Sequence, residues 1–194
     1  MAEPKIYTTT EWGARVVTKN FLKSAAEGIV IHNTENPNRA PATGAAEEQA
    51  AFKICRGIQI HHMDGNGWSD TGQNFTVSRG ALILEGRTTS LAAARSGKVV
   101  QGAHASGVSN YNNKWFGIEL EGFYVNEYAV TDQQWDALVE LCAWLCHWAK
   151  KIDAMEDIIG HMDVLAGHTN CPGLVEQHLV SLRAQVHDRA SQLP

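Results

Sequence analysis

The segment from Ile159 to Gly173 carries the residues best suited to chemistry. His161 follows a short apolar pair, and Cys171 comes ten residues later, directly before Pro172. Thiolate sulfur and neutral imidazole nitrogen are the donors that zinc prefers in proteins. The glycines of this segment allow a loop to fold back and bring the two donors together. The spacing therefore indicates a metal site, and an ordinary loop with a buried thiol is the alternative.

A third candidate, His32, ends the apolar run Gly28–His32 and is followed by a polar loop. Such a β-branched run is typical of a buried strand. Strand ends are where a rigid scaffold meets open loops, so a histidine there suits a site; a structural histidine is the alternative. Three other histidines fall on predicted helices among polar residues and are expected at the surface: His147, His178 and His187.

The elements that must position these side chains alternate between strands and helices. Apolar and alternating runs predict strands at 28–32, 57–62, 74–78, 81–85, 99–103 and 116–122, the third and fourth forming a hairpin. Helices are predicted over 45–57, from the N-cap Thr131 to about Lys151, and from about Leu174 towards Arg189. The middle helix should bury Leu138, Leu141, Cys142, Leu145 and Trp148. This pattern predicts an α/β fold with a mixed central sheet flanked by helices.

Composition limits the classes of function. With 194 residues, 44% apolar and 19% charged, the chain suits one globular domain, 1–194, with a core of roughly 10–185. The net charge of −5 gives no basic field for nucleic acid. No run is apolar enough for membrane insertion or for a secretory signal, so we expect synthesis in the cytoplasm. Separately, we expect a monomer. Four cysteines are too few for a disulfide scaffold.

Seven short motifs follow one another along the chain: Glu11-Trp-Gly-Ala-Arg15, Ile29-Val-Ile-His-Asn-Thr34, Ile58-Gln-Ile-His-His-Met-Asp64, Gly67-Trp-Ser-Asp-Thr-Gly-Gln-Asn-Phe75, Gly102-Ala-His-Ala105, Phe116-Gly-Ile-Glu-Leu-Glu-Gly122, and Gly160-His-Met-Asp-Val164 with Cys171-Pro-Gly173. In this order they resemble the motifs of the type 2 amidase superfamily, which includes peptidoglycan recognition proteins, phage amidases and muropeptide-recycling amidases.

The resemblance implies a zinc site whose ligands are His32, His161 and Cys171. Three protein ligands leave the fourth tetrahedral position for water, as in catalytic zinc sites. Zinc lowers the pKa of such a water to about 7 and polarises a carbonyl.

The same resemblance implies two catalytic residues. In recycling amidases the base is the first glutamate of a motif that corresponds to Glu119 here; Glu121 shares its strand face and stays an alternative. Thr169 takes the place of a family residue that faces the substrate carbonyl, and its hydroxyl is expected to donate to the oxyanion.

Four further residues are predicted to bind substrate. His104 corresponds to a histidine of the family's substrate groove, and Trp68 suits stacking on a sugar or peptide, although a packed core indole is equally expected. Since His61 and His62 would point to opposite faces of a strand, we assign only His62 to the groove. Gln73 replaces the tyrosine of recognition proteins, and glutamine can donate a hydrogen bond but cannot shuttle a proton.

The leading hypothesis is zinc-dependent hydrolysis of the amide between N-acetylmuramic acid and L-alanine, with peptidoglycan or a muropeptide as partner. A non-enzymatic peptidoglycan-binding module is one alternative; it is disfavoured by Cys171, which non-catalytic relatives lose, and favoured by Gln73. A zinc peptidase that cuts within the stem peptide is the other. A phage endolysin, an exported antibacterial effector and a cytoplasmic recycling enzyme all fit this activity.

Overall fold

A six-stranded mixed sheet forms the centre of the protein. The computed structural model describes residues 3–192; positions 1–2 and 193–194 of the predicted domain lie outside the described residues. The strand order is β1-β5-β4-β7-β3-β8, in which only β4 and β5 pair antiparallel. The strands are β1 (Ile6–Tyr7), β3 (Gly28–Asn33), β4 (Phe75–Val77), β5 (Ile83–Glu85), β7 (Trp115–Leu120) and β8 (Ile158–Gly160). A separate antiparallel pair joins β2 (Lys23–Ala25) to β6 (Lys98–Val100).

Helices cover both faces of this sheet, as the sequence predicts for its fold class. They are α1 (Gly44–Ile60), α2 (Ser90–Ala94), α3 (Ser109–Lys114), α4 (Asp132–Trp148), α5 (His161–Val164) and α6 (Leu179–Ser191). A π-helical turn (His61–Gly65) follows α1, and a 3₁₀ helix (Gly173–His178) precedes α6. In the part of the chain from 3 to 192, no helix has the length and apolar character needed to cross a bilayer.

The alternation of side chains along β3 and β7 decides which residues can reach a site. Ile29, Ile31 and Phe116 are fully buried against α4 and α6 in the main core. The intervening residues point to the opposite face. There His32 lies directly beside Glu119, because β3 and β7 are parallel and these two residues are partners in register. The sheet therefore presents an imidazole and a carboxylate side by side.

The predicted strand over 57–62 is wrong, because these residues continue α1 and its π-helical turn. The buried positions of α1 recur every four residues, which is a helical period, and two of the four are polar: Glu47, Ala51, Cys55 and Gln59. Ile60, which looks like a core residue in the sequence, is half exposed. The apparent alternation came from apolar residues that do not form the buried face.

Helix α4 begins as predicted. Thr131 is its N-cap, and the hydroxyl of Thr131 accepts a hydrogen bond from the backbone N–H of Gln134 at 3.2 Å. The side chain of Gln134 instead donates to the carbonyls of Val77 and Glu121, so it ties the helix to the sheet. The prediction that Trp148 is buried is wrong: it ends α4, where its ring is 46% exposed.

Candidate metal centre and substrate groove

Three candidate metal donors meet at the carboxyl edge of the sheet. His32 lies near the end of β3, and His161 follows β8, the strand directly beside β3. Cys171 returns to the same point because its carbonyl accepts a hydrogen bond from the backbone N–H of Met162 at 2.8 Å. One donor atom from each of the three side chains lies within 4.8 Å of the other two. The structure thus brings together the three residues that the sequence singled out.

Cys171 is held in place by the strand that carries His32. The backbone N–H of Asn33 donates to the Cys171 sulfur at 3.3 Å, and this sulfur lies 3.9 Å from Nδ1 of His32. The Thr169 hydroxyl oxygen accepts the backbone N–H of Cys171 at 3.0 Å, which leaves the hydroxyl proton of Thr169 free to donate. Burial raises the pKa of the Cys171 thiol to about 12, so without a metal it is a thiol at neutral pH.

Each candidate histidine ligand contacts a side chain of the 102–107 loop. Nε2 of His32 lies 3.1 Å from Nδ1 of His104, and Nε2 of His161 lies 3.0 Å from the hydroxyl oxygen of Ser106. Burial lowers the pKa of His32 well below its usual value and also lowers the pKa of His161. Neutral imidazole is the form that binds metals.

Glu119 faces the same space from β7. One of its carboxylate oxygens, Oε2, is buried and has no hydrogen-bond partner among residues 3–192. Burial, and then the negative charge of Glu35, raises the pKa of Glu119 to about 8. Glu35, which is not among the residues predicted from the sequence, follows β3 and has a positive φ of 58°; its polar-loop setting is the one signal in the sequence that could indicate it. A buried carboxylate without a partner, beside three metal donors, is a candidate for proton transfer.

The alternative base, Glu121, is occupied elsewhere. Both of its carboxylate oxygens accept from the guanidinium of Arg39, which also binds Glu47 on α1. Burial opposes ionisation of Glu47, but hydrogen bonds from Arg39 and Ser78 outweigh burial and lower the pKa of Glu47 to about 2. Glu121 and Glu47 are each 1% exposed. This buried cluster anchors the 34–43 loop and leaves Glu119 as the available carboxylate.

We expect Arg39→Met to lower the free energy of unfolding by about 3–5 kcal/mol, because it leaves two buried carboxylates without a counter-charge. Urea denaturation followed by circular dichroism measures this loss. Arg15→Met is the matched control, since the ion pair of Arg15 with Asp64 is exposed on both sides and should contribute about 1 kcal/mol or less. Equal losses in the two variants would contradict the importance assigned to the buried cluster.

A groove of about 530 Å³ opens beside the metal donors. Its walls include Trp68, His104, Asn112 and His161. Trp68, which is 36% exposed, offers an indole face to the groove, so the alternative of a core indole is wrong. Past Trp68 a second depression begins, and two cations line it, Lys19 and Arg87.

Two predicted substrate-binding residues do not reach this groove. His62 lies behind Trp68, with ring centroids 4.7 Å apart, and its Nδ1 accepts the backbone N–H of Gly72. His62 therefore supports Trp68 and does not face the groove. Gln73 is 1% exposed, and its amide donates to the hydroxyl of Thr76 at 3.1 Å. Because its side chain is buried, Gln73 cannot contact substrate directly, and that prediction is wrong.

Comparison with known proteins agrees with this geometry. A family model described as N-acetylmuramoyl-L-alanine amidase matches residues 22–174. Peptidoglycan-recognition protein SC2 of Drosophila simulans is 32% identical over 87% of this chain and 80% of its own length. A pig N-acetylmuramoyl-L-alanine amidase is 28% identical over 88% of this chain but only 26% of its own length.

Among solved structures, wild-type Drosophila PGRP-LB superposes with a TM-score of 0.69 at 27% identity, over 98% of this chain and 94% of that one. A mutant of the same protein, in complex with tracheal cytotoxin, gives 0.68 at 28% identity, over 87% and 88%. The extent of the family match, together with the shared fold, decides the assignment. The chain belongs to the superfamily of type 2 N-acetylmuramoyl-L-alanine amidases and peptidoglycan recognition proteins.

Proposed function

We propose that this protein is a zinc-dependent amidase that hydrolyses the bond between N-acetylmuramic acid and L-alanine in peptidoglycan or muropeptides. The observation that carries the proposal is the grouping of His32, His161 and Cys171 within 4.8 Å beside a buried, unpartnered oxygen of Glu119. A module that only binds its ligand has no need of either feature.

The donor set fits zinc. Two imidazoles and one thiol are among the donor combinations that hold catalytic zinc, and three protein donors leave one position open. The unpartnered oxygen of Glu119 is a second sign, because a buried carboxylate without a hydrogen bond is costly unless a ligand, water or metal completes its surroundings. Zinc, when bound, would supply a Lewis acid that activates water and polarises the scissile carbonyl.

The side chains around the metal donors supply the remaining chemistry. In this mechanism Glu119 accepts the proton of the attacking water and passes it to the leaving amine of the peptide. The free hydroxyl proton of Thr169 is available for the oxyanion that develops on the scissile carbonyl. The indole of Trp68 suits the apolar face of a sugar or a stem residue, and the exposed ammonium of Lys19 suits a carboxylate of the stem peptide.

Zinc loading at pH 7 should release about one proton per ion from the Cys171 thiol, because this thiol must ionise to bind the metal. Ionisation of the neighbouring Glu119 carboxyl, which bound zinc favours, adds to the total. Calorimetry of zinc binding in buffers of different ionisation enthalpy measures this number. The Cys171→Asp variant is the control: it offers a carboxylate that is already ionised, so the release should fall by about one proton. An unchanged release in that variant would show that the proton does not come from Cys171.

Digestion of purified muropeptides, followed by mass spectrometry, tests the proposed activity. We expect the free lactyl sugar together with an intact stem peptide, only when zinc is present. Binding without turnover would support the recognition module instead, and shortened peptides would support a peptidase. The complex of Drosophila PGRP-LB with tracheal cytotoxin makes a muropeptide a suitable first ligand.

We further propose that the chain acts as a monomer, is made in the cytoplasm and reaches its substrate there or after lysis or export.

A further inference from the structure

We propose that His104 is a positioning residue, which holds His32 in the one tautomer that presents Nδ1 to the metal. The inference rests on the zinc site of the proposed function. It assigns His104 a role different from the substrate contact predicted from the sequence. Two hydrogen bonds to the His104 ring carry the argument.

The two hydrogen bonds determine, one after the other, which ring nitrogen of His104 and which ring nitrogen of His32 carries the proton. The backbone carbonyl of Trp115 can only accept, and it lies 3.2 Å from Nε2 of His104, so this nitrogen carries the proton. In a neutral ring Nδ1 of His104 is then an acceptor, and it lies 3.1 Å from Nε2 of His32. Nε2 of His32 must therefore donate, which leaves the lone pair of His32 on Nδ1. That atom is the one that lies 3.9 Å from the Cys171 sulfur.

The His104 ring is closely packed against two glycines. A Cβ atom on Gly117 of β7 or on Gly102 would come within 2.5 Å of a ring carbon of His104, so only glycine fits at either position. The backbone N–H groups of His104 and Ala105 both donate to the side-chain oxygen of Asn112. With both ring nitrogens occupied, His104 has no free group for a substrate, although its edge lines the groove. The second ring nitrogen of a metal-binding histidine is commonly held in this manner.

Two variants of His104 separate the hydrogen bond from simple packing. His104→Leu fills the space but offers no acceptor to His32, and we expect it to weaken zinc binding about 10- to 100-fold. His104→Asn places an amide oxygen near the position of Nδ1, and we expect a clearly smaller loss. Zinc affinity of the full chain is measured by competition with a chromophoric chelator. Thermal unfolding of the metal-free variants checks that each one folds.

Long-range ¹H–¹⁵N NMR correlation of the zinc-loaded wild type gives a readout that a packing role would not affect. We expect His32 to show a protonated Nε2 and a metal-bound Nδ1. A metal-bound Nε2, wild-type affinity in His104→Leu, or equal losses in the Leu and Asn variants would each overturn the proposal. Neither measurement uses turnover: a protein that binds zinc in this way but cleaves no muropeptide would refute the proposed activity and leave the role of His104 intact.

Discussion

Cys171→Ala is expected to abolish stoichiometric zinc binding and muropeptide hydrolysis together. The variant keeps His32 and His161, but two neutral imidazoles form a weak chelate, and the thiolate supplies the only negative charge among the three donors. The loss of zinc should be nearly complete after dialysis against a mild chelator. Elemental analysis of the dialysed protein measures it, and mass spectrometry of digested muropeptides measures turnover on the same sample.

Cys146→Ala is the matched control for this experiment. Cys146 is also a buried thiol, and burial raises its pKa to about 12 as well, but it lies on α4, on the other side of the sheet. The Cys146→Ala variant should therefore bind zinc and hydrolyse muropeptides as the wild type does. Metal and activity that persist in Cys171→Ala would show that the cluster of donors is not the catalytic centre.

The site strands could be predicted because their local sequence and their tertiary role agree. The run ending at His32 is apolar at every position before the histidine, as expected for a strand buried on both faces. The core positions of β7 were also recognisable. What the sequence could not supply is the register that sets His32 beside Glu119, since the two residues are far apart in the chain. The family resemblance, and not periodicity, linked them.

Helix α1 shows why part of the fold could not be predicted. Its buried face carries Glu47 near one end and Gln59 near the other, and both are buried because partners elsewhere in the fold satisfy them. Gln59 donates to Asp70 and accepts the backbone N–H of Arg15. Hydrophobic patterning treats such residues as exposed, so it ends the helix near residue 57 and interprets 57–62 as a strand. Buried polar groups of this kind become visible only in three dimensions.

The same limit applies to the groups that surround the metal donors. The histidine of the Gly102–Ala105 motif was recognised as a site residue, but its contact with His32 depends on two glycines that admit its ring. Gln73 is predicted from the sequence to contact substrate, but its side chain is buried and donates a hydrogen bond to Thr76. Thr76 is in turn the β4 partner of Glu119 in register. Sequence motifs identify the residues of a site, whereas their orientation is set by distant packing.

Glu119→Gln is expected to leave zinc bound while turnover falls by about a hundredfold or more, the loss typical of a missing general base. The amide has nearly the same shape as the carboxylate but cannot accept the proton of the attacking water. Zinc content and initial rates of muropeptide cleavage are measured on the same preparation. Loss of zinc together with activity would instead make Glu119 part of the metal site.

The dependence of turnover on pH tests whether Glu119 acts as the base. A base acts when it is ionised, and burial raises the pKa of Glu119 to about 8, so wild-type turnover should rise with pH until the carboxyl has ionised. The positive charge of bound zinc moves that rise towards lower pH, because an opposite charge favours the ionised form. In Glu119→Gln the residual rate should lose this rise. A profile unchanged by the substitution would assign the titration to another group.

Glu121→Gln separates Glu119 of β7 from Glu121, which directly follows this strand. Since Glu121 is bound to Arg39 in the buried cluster, its substitution should lower stability, while each correctly folded molecule keeps its zinc and most of its turnover. If Glu121→Gln removes activity and Glu119→Gln does not, the base lies two residues further along the chain than we propose. The pair of variants therefore tests which carboxylate is the base. Glu119 and Glu121 lie two residues apart, but of these two only Glu119, beside His32, has a carboxylate oxygen without a protein partner within residues 3–192.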